Sequence, residues 1–169
     1  MNPKLRLATK KDDARIRQIL RENPIEGKIS LAYHREPSYF ESIRIEGHKN
    51  QVMVGELDNK IIGFGARSIR KAYINGKVKN VGYLNGLRLE KKYRGRGLLK
   101  YGYLYLKKLH KQDGKNKLYY STIIDDNRLA KKILTTNKPY LPHYININKV
   151  NVITIRLLGR IKQDCSYKI

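Results

Sequence analysis

Apolar and polar residues fall into short segments that follow either a two-residue or a helical period. Residues 4–7 alternate leucine with basic residues, which predicts a short strand. Ile16, Ile19 and Leu20 then recur at helical spacing and predict an amphipathic helix. A second helix is predicted to begin at Pro37, because proline is favoured in the first turn of a helix. The chain therefore opens with one strand and two helices.

The middle of the chain predicts a meander of three strands. Their apolar segments are 52–54, 61–69 and 81–89. A turn at Asp58-Asn59 separates the first two strands. Between the second and third strands, Asn75-Gly76 is a strong signal for a type I′ hairpin turn, because both residues adopt positive φ readily. Strands joined by such short turns lie antiparallel.

After the meander, the pattern predicts further helices and strands. Residues 98–111, which are rich in leucine and tyrosine, predict a largely buried helix. Residues 117–124 predict another buried strand, and residues 127–134 predict a short helix with an acidic start and a basic end. Two final strands are predicted at 145–147 and 150–154.

The alternation of strands and helices predicts a fold of the α/β (α+β) class. The 169 residues are enough to bury a core of their own. The sequence has no internal repeat and no long linker rich in Pro, Gly or Ser. We therefore expect a single domain over residues 1–158 and a short polar tail over residues 159–169.

The composition adds a strong positive charge to this picture. The chain has 37 basic and 14 acidic residues, which gives a net charge of +23. The expected partners are therefore anions, namely a phosphate-rich cofactor, an acidic substrate, a nucleic acid or an anionic membrane surface. The alternative is that many of the lysine residues only solvate the surface.

The sequence also predicts whether disulfides, a signal peptide, a membrane span or a metal site are present. A single cysteine, Cys165, excludes an intrachain disulfide scaffold and favours a reducing compartment. Residues 1–7 lack the apolar core of a signal peptide, and no apolar run approaches the ~18 residues of a transmembrane helix. His48 and His110 lack partners at metal-ligand spacing, so no metal site is predicted. We expect a cytoplasmic protein without membrane association.

The segment that indicates a chemical function is the strand 81–89, the basic turn Arg94–Gly97 and the helix that follows. Consecutive N–H groups of a glycine-bearing turn point the same way, and a helix N-terminus adds partial positive charge. This arrangement predicts a cradle for a pyrophosphate, although a basic turn on a solvated surface would have the same sequence. Gly82 and Gly86 interrupt the strand, which marks a bulge, a close approach by a ligand or a crowded packing position.

The same segment resembles motif A of the GNAT superfamily of N-acetyltransferases. That motif ends in Gln/Arg-x-x-Gly-x-Gly/Ala, which Arg94 and Gly97 match, while Leu99 stands where the family has Gly or Ala. Further on, Asn127–Ala130 resembles the Asn-x-x-Ala of motif B. By the order of the elements, the resemblance covers roughly residues 4–135.

The resemblance implies an acetyl-CoA-binding fold with acetyl-CoA as cosubstrate. Its mixed, mostly antiparallel central sheet would be flanked by helices and splayed between the fourth and fifth strands. Gly86 would lie at a bulge, next to backbone that pairs with the pantetheine arm, and the pyrophosphate would lie on residues 96–100. Asn127 would contact the pantetheine or the thioester region, unless it only starts a helix. The implied cofactor-binding residues are Leu87, Arg88, Leu89, Arg94, Gly95, Arg96, Gly97, Leu98, Leu99, Lys100 and Asn127.

Few side chains are needed for the chemistry, since the thioester is already activated. Many family members present a Glu or His to the substrate from the bulged strand. The corresponding residues here are Tyr83 and Asn85, so no strong base stands at these catalytic positions. The general-acid tyrosine of the family falls on Leu134, which cannot donate a proton. Tyr140 and Tyr144 are candidates to replace it, the alternative for both being packing or loop surface.

We expect an acetyl-CoA-dependent N-acetyltransferase that acts on an amine acceptor, with an acidic acceptor suited to the net charge, as a monomer or homodimer. One alternative is a basic nucleic-acid-binding protein associated with RNA or the ribosome. The other is an acyl-CoA-binding relative with weak catalysis, because the usual base and acid are missing.

Overall fold

The computed structural model describes residues 2–25, 33–113 and 118–152. The strands are β1 (Lys4–Leu7), β2 (Lys49–Leu57), β3 (Lys60–Ile74), β4 (Lys77–Leu89) and β5 (Tyr119–Tyr120), and the helices are α1 (Asp13–Glu22), α2 (Tyr39–Ser42), α3 (Leu99–Asp113) and α4 (Arg128–Leu134). Short 3₁₀ turns lie at Lys10–Asp12, Ile43–Glu46 and Lys91–Tyr93. None of the helices in these ranges combines the length and the apolar content that a bilayer crossing requires.

The five strands form one sheet in the order β1-β2-β3-β4-β5. Pairing is antiparallel from β1 to β4 and parallel between β4 and β5. The tight turns have positive φ, 48° and 60° at Asp58 and Asn59 and 51° and 73° at Asn75 and Gly76. Positive φ at both central residues is the requirement of a type I′ turn. The predicted mixed sheet and its hairpin turn are confirmed.

The apolar core lies between the sheet and the helices α1 and α2. Ile16 of α1 is fully buried and belongs to the same cluster as Phe64 of β3 and Tyr39 of α2. Because successive strand residues point to opposite faces, Arg67 of β3 lies on the other face of the sheet from Phe64. There it contacts Asp113, the last residue of α3. The sheet therefore separates α1 and α2 from α3.

Two helices differ from the expectation. The second helix is a single turn that begins at Tyr39, because Ser38 caps it with a hydroxyl that accepts from a backbone N–H of that turn. The expected burial of α3 is wrong for much of its surface. Tyr103 and Leu109 are buried, but Leu104 is 49% exposed. Apolar content alone does not distinguish a helix buried all round from one that packs on a single face.

The strands expected in the last third of the chain are mostly wrong. The strand predicted at 117–124 is reduced to the two residues of β5. The strands predicted at 145–147 and 150–154 are not formed over residues 145–152, where Ile145 and Val150 are 73% and 82% exposed. Alternating residues form a strand only where a second strand pairs with their backbone groups. Residue 154, Cys165 and the tail 159–169 lie outside the described residues, so the domain boundary at 158 stays a prediction.

Candidate functional site

A bulge interrupts β4 at Gly86. The register with β3 pairs Ala66 with Asn85 and Phe64 with Arg88, so two residues of β4 oppose one residue of β3. Gly86 has φ of +67°, and a Cβ there would lie 2.8 Å from the Tyr39 hydroxyl. Both the backbone conformation and the space therefore require glycine. A bulge leaves one residue of the strand outside the ladder, which frees its backbone groups for a ligand.

Beyond Tyr83, the edge of β4 that faces β5 is open in the described part of the chain. The parallel pairing joins only Gly82 to Tyr119 and Tyr83 to Tyr120. β4 continues to Leu89, whereas residues 121–124 form no strand. The expected splay between the fourth and fifth strands is confirmed. The open edge offers backbone donors and acceptors that an extended ligand can pair with.

The turn between β4 and α3 forms an anion cradle. Gly95 and Gly97 have φ of +76° and +69°, and no atom lies within 4 Å of a Cβ built at either position. Within the described part of the chain, the N–H groups of residues 95–100 donate to no acceptor. The first turn of α3, a helix of 15 residues, adds the positive end of its dipole. These unpaired donors suit a pyrophosphate.

Arg94 holds this turn in place. Its Nε donates to the Leu89 carbonyl at 3.0 Å, and its Nη2 donates to Asn23 Oδ1 at 3.1 Å. Arg88 donates from Nε to the carbonyl of the same Asn23 at 3.1 Å. Asn23 follows α1 and is 5% exposed. Burial lowers the pKa of Arg88. The two arginines therefore join the end of α1 to β4 and to the turn.

The sequence gives no sign of the role of Asn23, because an asparagine after a helix is ordinarily a cap. Its own side chain does cap α1, since its Nδ2 donates to Ile19 O at 2.9 Å. The contact with Arg94 spans 71 positions of the chain. No local pattern could have predicted it.

The remaining basic side chains of the turn lie over tyrosine rings. Lys92 Nζ and Arg96 Cζ are 5.0 and 5.9 Å from the centre of the Tyr93 ring. Lys100 Nζ is 4.9 Å from the centre of the Tyr101 ring. The cationic residues are exposed, so they add positive charge around the cradle at its solvent side.

Tyr83 and Asn85 lie on the face of β4 that points toward α1 and α2. The Tyr83 ring stacks on Tyr120 with centroids 4.6 Å apart, and its hydroxyl is 2.8 Å from Thr122 Oγ1. Burial raises the pKa of Tyr83, so its hydroxyl keeps its proton at neutral pH. Asn85 Nδ2 donates to Ser68 Oγ at 3.3 Å. The pair forms a polar surface beside the bulge.

The other predicted site residues make contacts with residues outside β4. The Tyr144 hydroxyl is 2.9 Å from the Tyr103 hydroxyl of α3, and the Tyr140 ring is 5.9 Å from Lys138 Nζ. Asn127 caps α4, where its Oδ1 accepts from Ala130 N at 3.0 Å. The structure thus groups the residues of β4 and the turn, and gives Asn127 the helix-start role that the sequence allowed.

A buried polar cluster on the α3 face was missed by the sequence analysis. The Arg67 side chain is fully buried and makes two hydrogen bonds, 2.7 and 2.8 Å long, to the Asp113 carboxylate. It also donates to Tyr119 at 2.6 Å and to Gln51 at 2.6 Å. These bonds connect the end of α3 to β2, β3 and β5. Among the described residues there is no cluster of side chains that could hold a metal ion.

Comparison of the sequence with protein families agrees with this geometry. The model of the Acetyltransferase (GNAT) family matches residues 14–134. No curated protein matches the chain.

Solved structures share the fold at low sequence identity. An aminoglycoside 6′-N-acetyltransferase from Acinetobacter haemolyticus superposes with a TM-score of 0.65 at 16% identity, over 91% of this chain and 99% of that one. The aminoglycoside N-acetyltransferase AAC(6′)-Iy, solved in complex with CoA, superposes with a TM-score of 0.59 at 18% identity, over 88% of this chain and 100% of that one. Glucosamine-6-phosphate N-acetyltransferase from Arabidopsis thaliana superposes with a TM-score of 0.56 at 17% identity, over 89% of this chain and 99% of that one. At such identities the similarity extends to the fold alone.

Proposed function

The chain belongs to the Acetyltransferase (GNAT) family, and on that premise we propose that it transfers the acetyl group of acetyl-CoA directly to the amine of an acceptor. One observation carries this proposal. The bulged strand β4, the turn with positive φ at Gly95 and Gly97 and the start of α3 form one continuous unit. That unit offers an open strand edge followed by an anion cradle, in the order of a pantetheine arm and a pyrophosphate.

Each part of this unit has a separate task in binding. The backbone of residues 84–89 pairs with the amides of the pantetheine arm. The N–H groups of residues 95–100 hold the pyrophosphate, while Arg94 keeps the turn in position. Asn127 uses only Oδ1 for its cap, so its Nδ2 is left to donate to the pantetheine.

The bulge supplies the electrostatic stabilisation that acyl transfer needs. When the amine attacks the thioester, negative charge develops on the carbonyl oxygen. The backbone N–H groups at Gly86 and Leu87 stabilise that charge without having to reorganise. Gly86 is confined by Tyr39 and Phe64, which keeps these donors fixed.

Proton transfer falls to the polar residues around the acceptor. Tyr83 and Asn85 orient the amine, and a chain of water molecules carries the proton that the amine loses to a base in the solvent. The raised pKa of Tyr83 keeps its hydroxyl protonated, so Tyr83 donates a hydrogen bond and does not act as a base. Tyr140 and Tyr144 stay predicted donors to the leaving thiolate. Replacing each tyrosine by phenylalanine identifies a donor as the one whose loss lowers kcat at unchanged KM for acetyl-CoA.

Calorimetric titration with acetyl-CoA tests the binding site. At ~150 mM salt, where exposed charges are screened beyond a distance of about 8 Å, we expect saturable one-site binding that ATP does not reproduce. Gly97→Asp places a carboxylate in the cradle and should abolish that binding. Gly76→Asp is the matched control, because Gly76 also has positive φ, at +73°, and open space around it.

The two titrations decide between the site and a general basic surface. Equal binding of acetyl-CoA and ATP, or equal loss in both aspartate variants, would contradict the proposal. Release of free CoA thiol with a panel of amines then tests turnover. Binding without turnover would identify an acyl-CoA-binding protein without transferase activity.

A further inference from the structure

The hairpin of β3 and β4 projects beyond the rest of the sheet and carries a strongly basic surface. β2 begins at Lys49, which pairs with Ile69, so residues 70–81 form a two-stranded ribbon that no third strand joins among the described residues. Four basic residues and no acidic residue occur in this ribbon, namely Arg70, Lys71, Lys77 and Lys79. All four are exposed.

An open groove of about 630 Å³ lies at the base of the ribbon. Arg44, His48, Arg70 and Lys71 line it, and Glu46 is the acidic residue among them. Within the described residues, the side chains of His48, Arg70 and Lys71 have no hydrogen-bond or ion-pair partner. Glu46 accepts from Arg35 at 2.8 Å, so its charge is already compensated. Arg44 pairs with Glu41 at 3.0 Å, so the uncompensated positive charge of the groove comes from Arg70 and Lys71.

The groove lies on the same side of the sheet as the polar surface beside the bulge. Arg70 is paired with Val81 and Ser68 with Tyr83 in the β3–β4 register. Residues two apart on a strand share a face, so Arg70 points to the face on which Tyr83 and Asn85 lie. Ser68 and Val81 on this face are buried, at 0% and 3% exposure, so an acceptor placed at Tyr83 would reach the groove over the residues that cover them.

We propose that the acceptor is an acidic polypeptide segment, whose amine lies at the bulge and whose carboxylates lie in the basic groove. This inference rests on the proposed acetyltransferase function and specifies its substrate class. Arg70 is five positions along β3 from the residue opposite the bulge, or about 17 Å at a rise of ~3.3 Å per residue. An extended polypeptide spans that distance with about five residues, whereas a small amine does not.

The backbone of the ribbon favours a polypeptide over a nucleic acid. Past the pairing with β2, the outer edge of β3 over Arg70–Ile74 has no strand beside it in the described part of the chain. Such an edge pairs with the main chain of an extended peptide, while basic pockets select its side chains. Tyr73 and its cross-strand partner Val78 are exposed, 78% and 55% accessible, but they lie on the opposite face of the ribbon from Arg70.

Peptide binding in the presence of CoA tests the inference. The probes are a fluorescent ten-residue peptide with a free N-terminal amine and glutamates from the fourth position, a version with glutamine in their place, and a short RNA. At ~150 mM salt we expect the glutamate peptide to bind at least about tenfold tighter than the glutamine peptide, which is ~1.4 kcal/mol.

Charge reversal assigns that preference to the groove. Arg70→Glu with Lys71→Glu should erase the preference. Lys107→Glu with Lys108→Glu, which changes the net charge equally on the exposed part of α3, should retain it. Equal binding of both peptides, equal loss in both double variants, or binding of the RNA alone at the groove would overturn the inference.

Acetyl-CoA binding separates a failure of this inference from a failure of the proposed function. Calorimetry on the Arg70→Glu, Lys71→Glu variant should give the acetyl-CoA affinity of the parent protein. If the parent binds acetyl-CoA but does not distinguish the peptides, the acceptor class is wrong and the transferase proposal stands. If the parent does not bind acetyl-CoA, the proposed function itself is wrong.

Discussion

Removal of the Asp113 carboxylate should destabilise the fold strongly. Asp113 accepts two hydrogen bonds from Arg67, 2.7 and 2.8 Å long, and one from Lys49 at 3.0 Å. The Arg67 side chain is 0% exposed and the Asp113 side chain 19% exposed. Asp113→Ala would therefore leave a guanidinium buried without its counter-charge.

Two opposing effects determine how much unfolding free energy Asp113→Ala should lose. Loss of one partner from a buried ion pair costs about 3–5 kcal/mol, because the remaining charge stays desolvated. Removing an acidic residue from the C-terminal end of α3 raises the stability by about 0.5 kcal/mol, because a negative charge there opposes the helix dipole. Gln51 and Tyr119 remain as acceptors for Arg67, which places the loss toward the low end. We expect about 3 kcal/mol, a large share of a typical total of ~5–15 kcal/mol.

Urea unfolding followed by circular dichroism measures the effect, with the midpoint expected to fall at unchanged slope. Asp125→Ala is the matched control, because Asp125 also pairs with lysines but is 64% exposed. It should leave the midpoint unchanged. The double variant Arg67→Met, Asp113→Leu should recover most of the stability, since no buried charge remains.

If Asp113→Ala loses less than about 1 kcal/mol, a value typical of exposed pairs, the cluster is not an electrostatic anchor for α3. A double variant less stable than Asp113→Ala would show that the polar bonds themselves, and not the unpaired charge, determine stability.

Three further predictions concern the bulge, the turn and the pH dependence. Gly86→Ala should destabilise the protein by about 1–3 kcal/mol, because its φ is unfavourable for alanine and its Cβ meets a buried hydroxyl; thermal unfolding checks this, and an unchanged Tm would refute the bulge geometry. Asn23→Ala removes the side-chain acceptor of Arg94 and should weaken acetyl-CoA binding by roughly tenfold, or ~1.4 kcal/mol, in calorimetry; undiminished affinity would show that the turn does not need this contact. The Arg6 guanidinium holds the pKa of Asp12 well below its usual range. The ionised Asp12 carboxylate therefore stabilises the fold above pH ~4, and this stabilisation is lost as the pH falls below ~4. In urea titrations from neutral to acid pH, Asp12→Asn should have a shallower decline than the parent; identical slopes would contradict this assignment.

Much of the fold and part of the site could be predicted from short-range features. The turn at Asn75-Gly76 and the basic turn at Gly95 and Gly97 depend on φ preferences of the residues themselves, and all four have positive φ in the structure. The glycine of the bulge, Gly86, also stands out in the sequence because it interrupts a predicted strand. By contrast, which of the predicted tyrosines donates a proton depends on packing between distant segments and stays a prediction.

The sequence by itself determined the order of the elements, the turns that join the central strands and the glycine-bearing cradle before α3. These features follow from periodicity and backbone preferences within a few neighbouring residues. The tertiary structure decided which polar residues meet, because Arg67 reaches Asp113 across 46 positions of the chain and Arg94 reaches Asn23 across 71. It also decided that residues 145–152 form no strand, although they alternate like one. A strand is stable only where another strand pairs with its backbone, and that partner is a property of the whole fold and not of the segment.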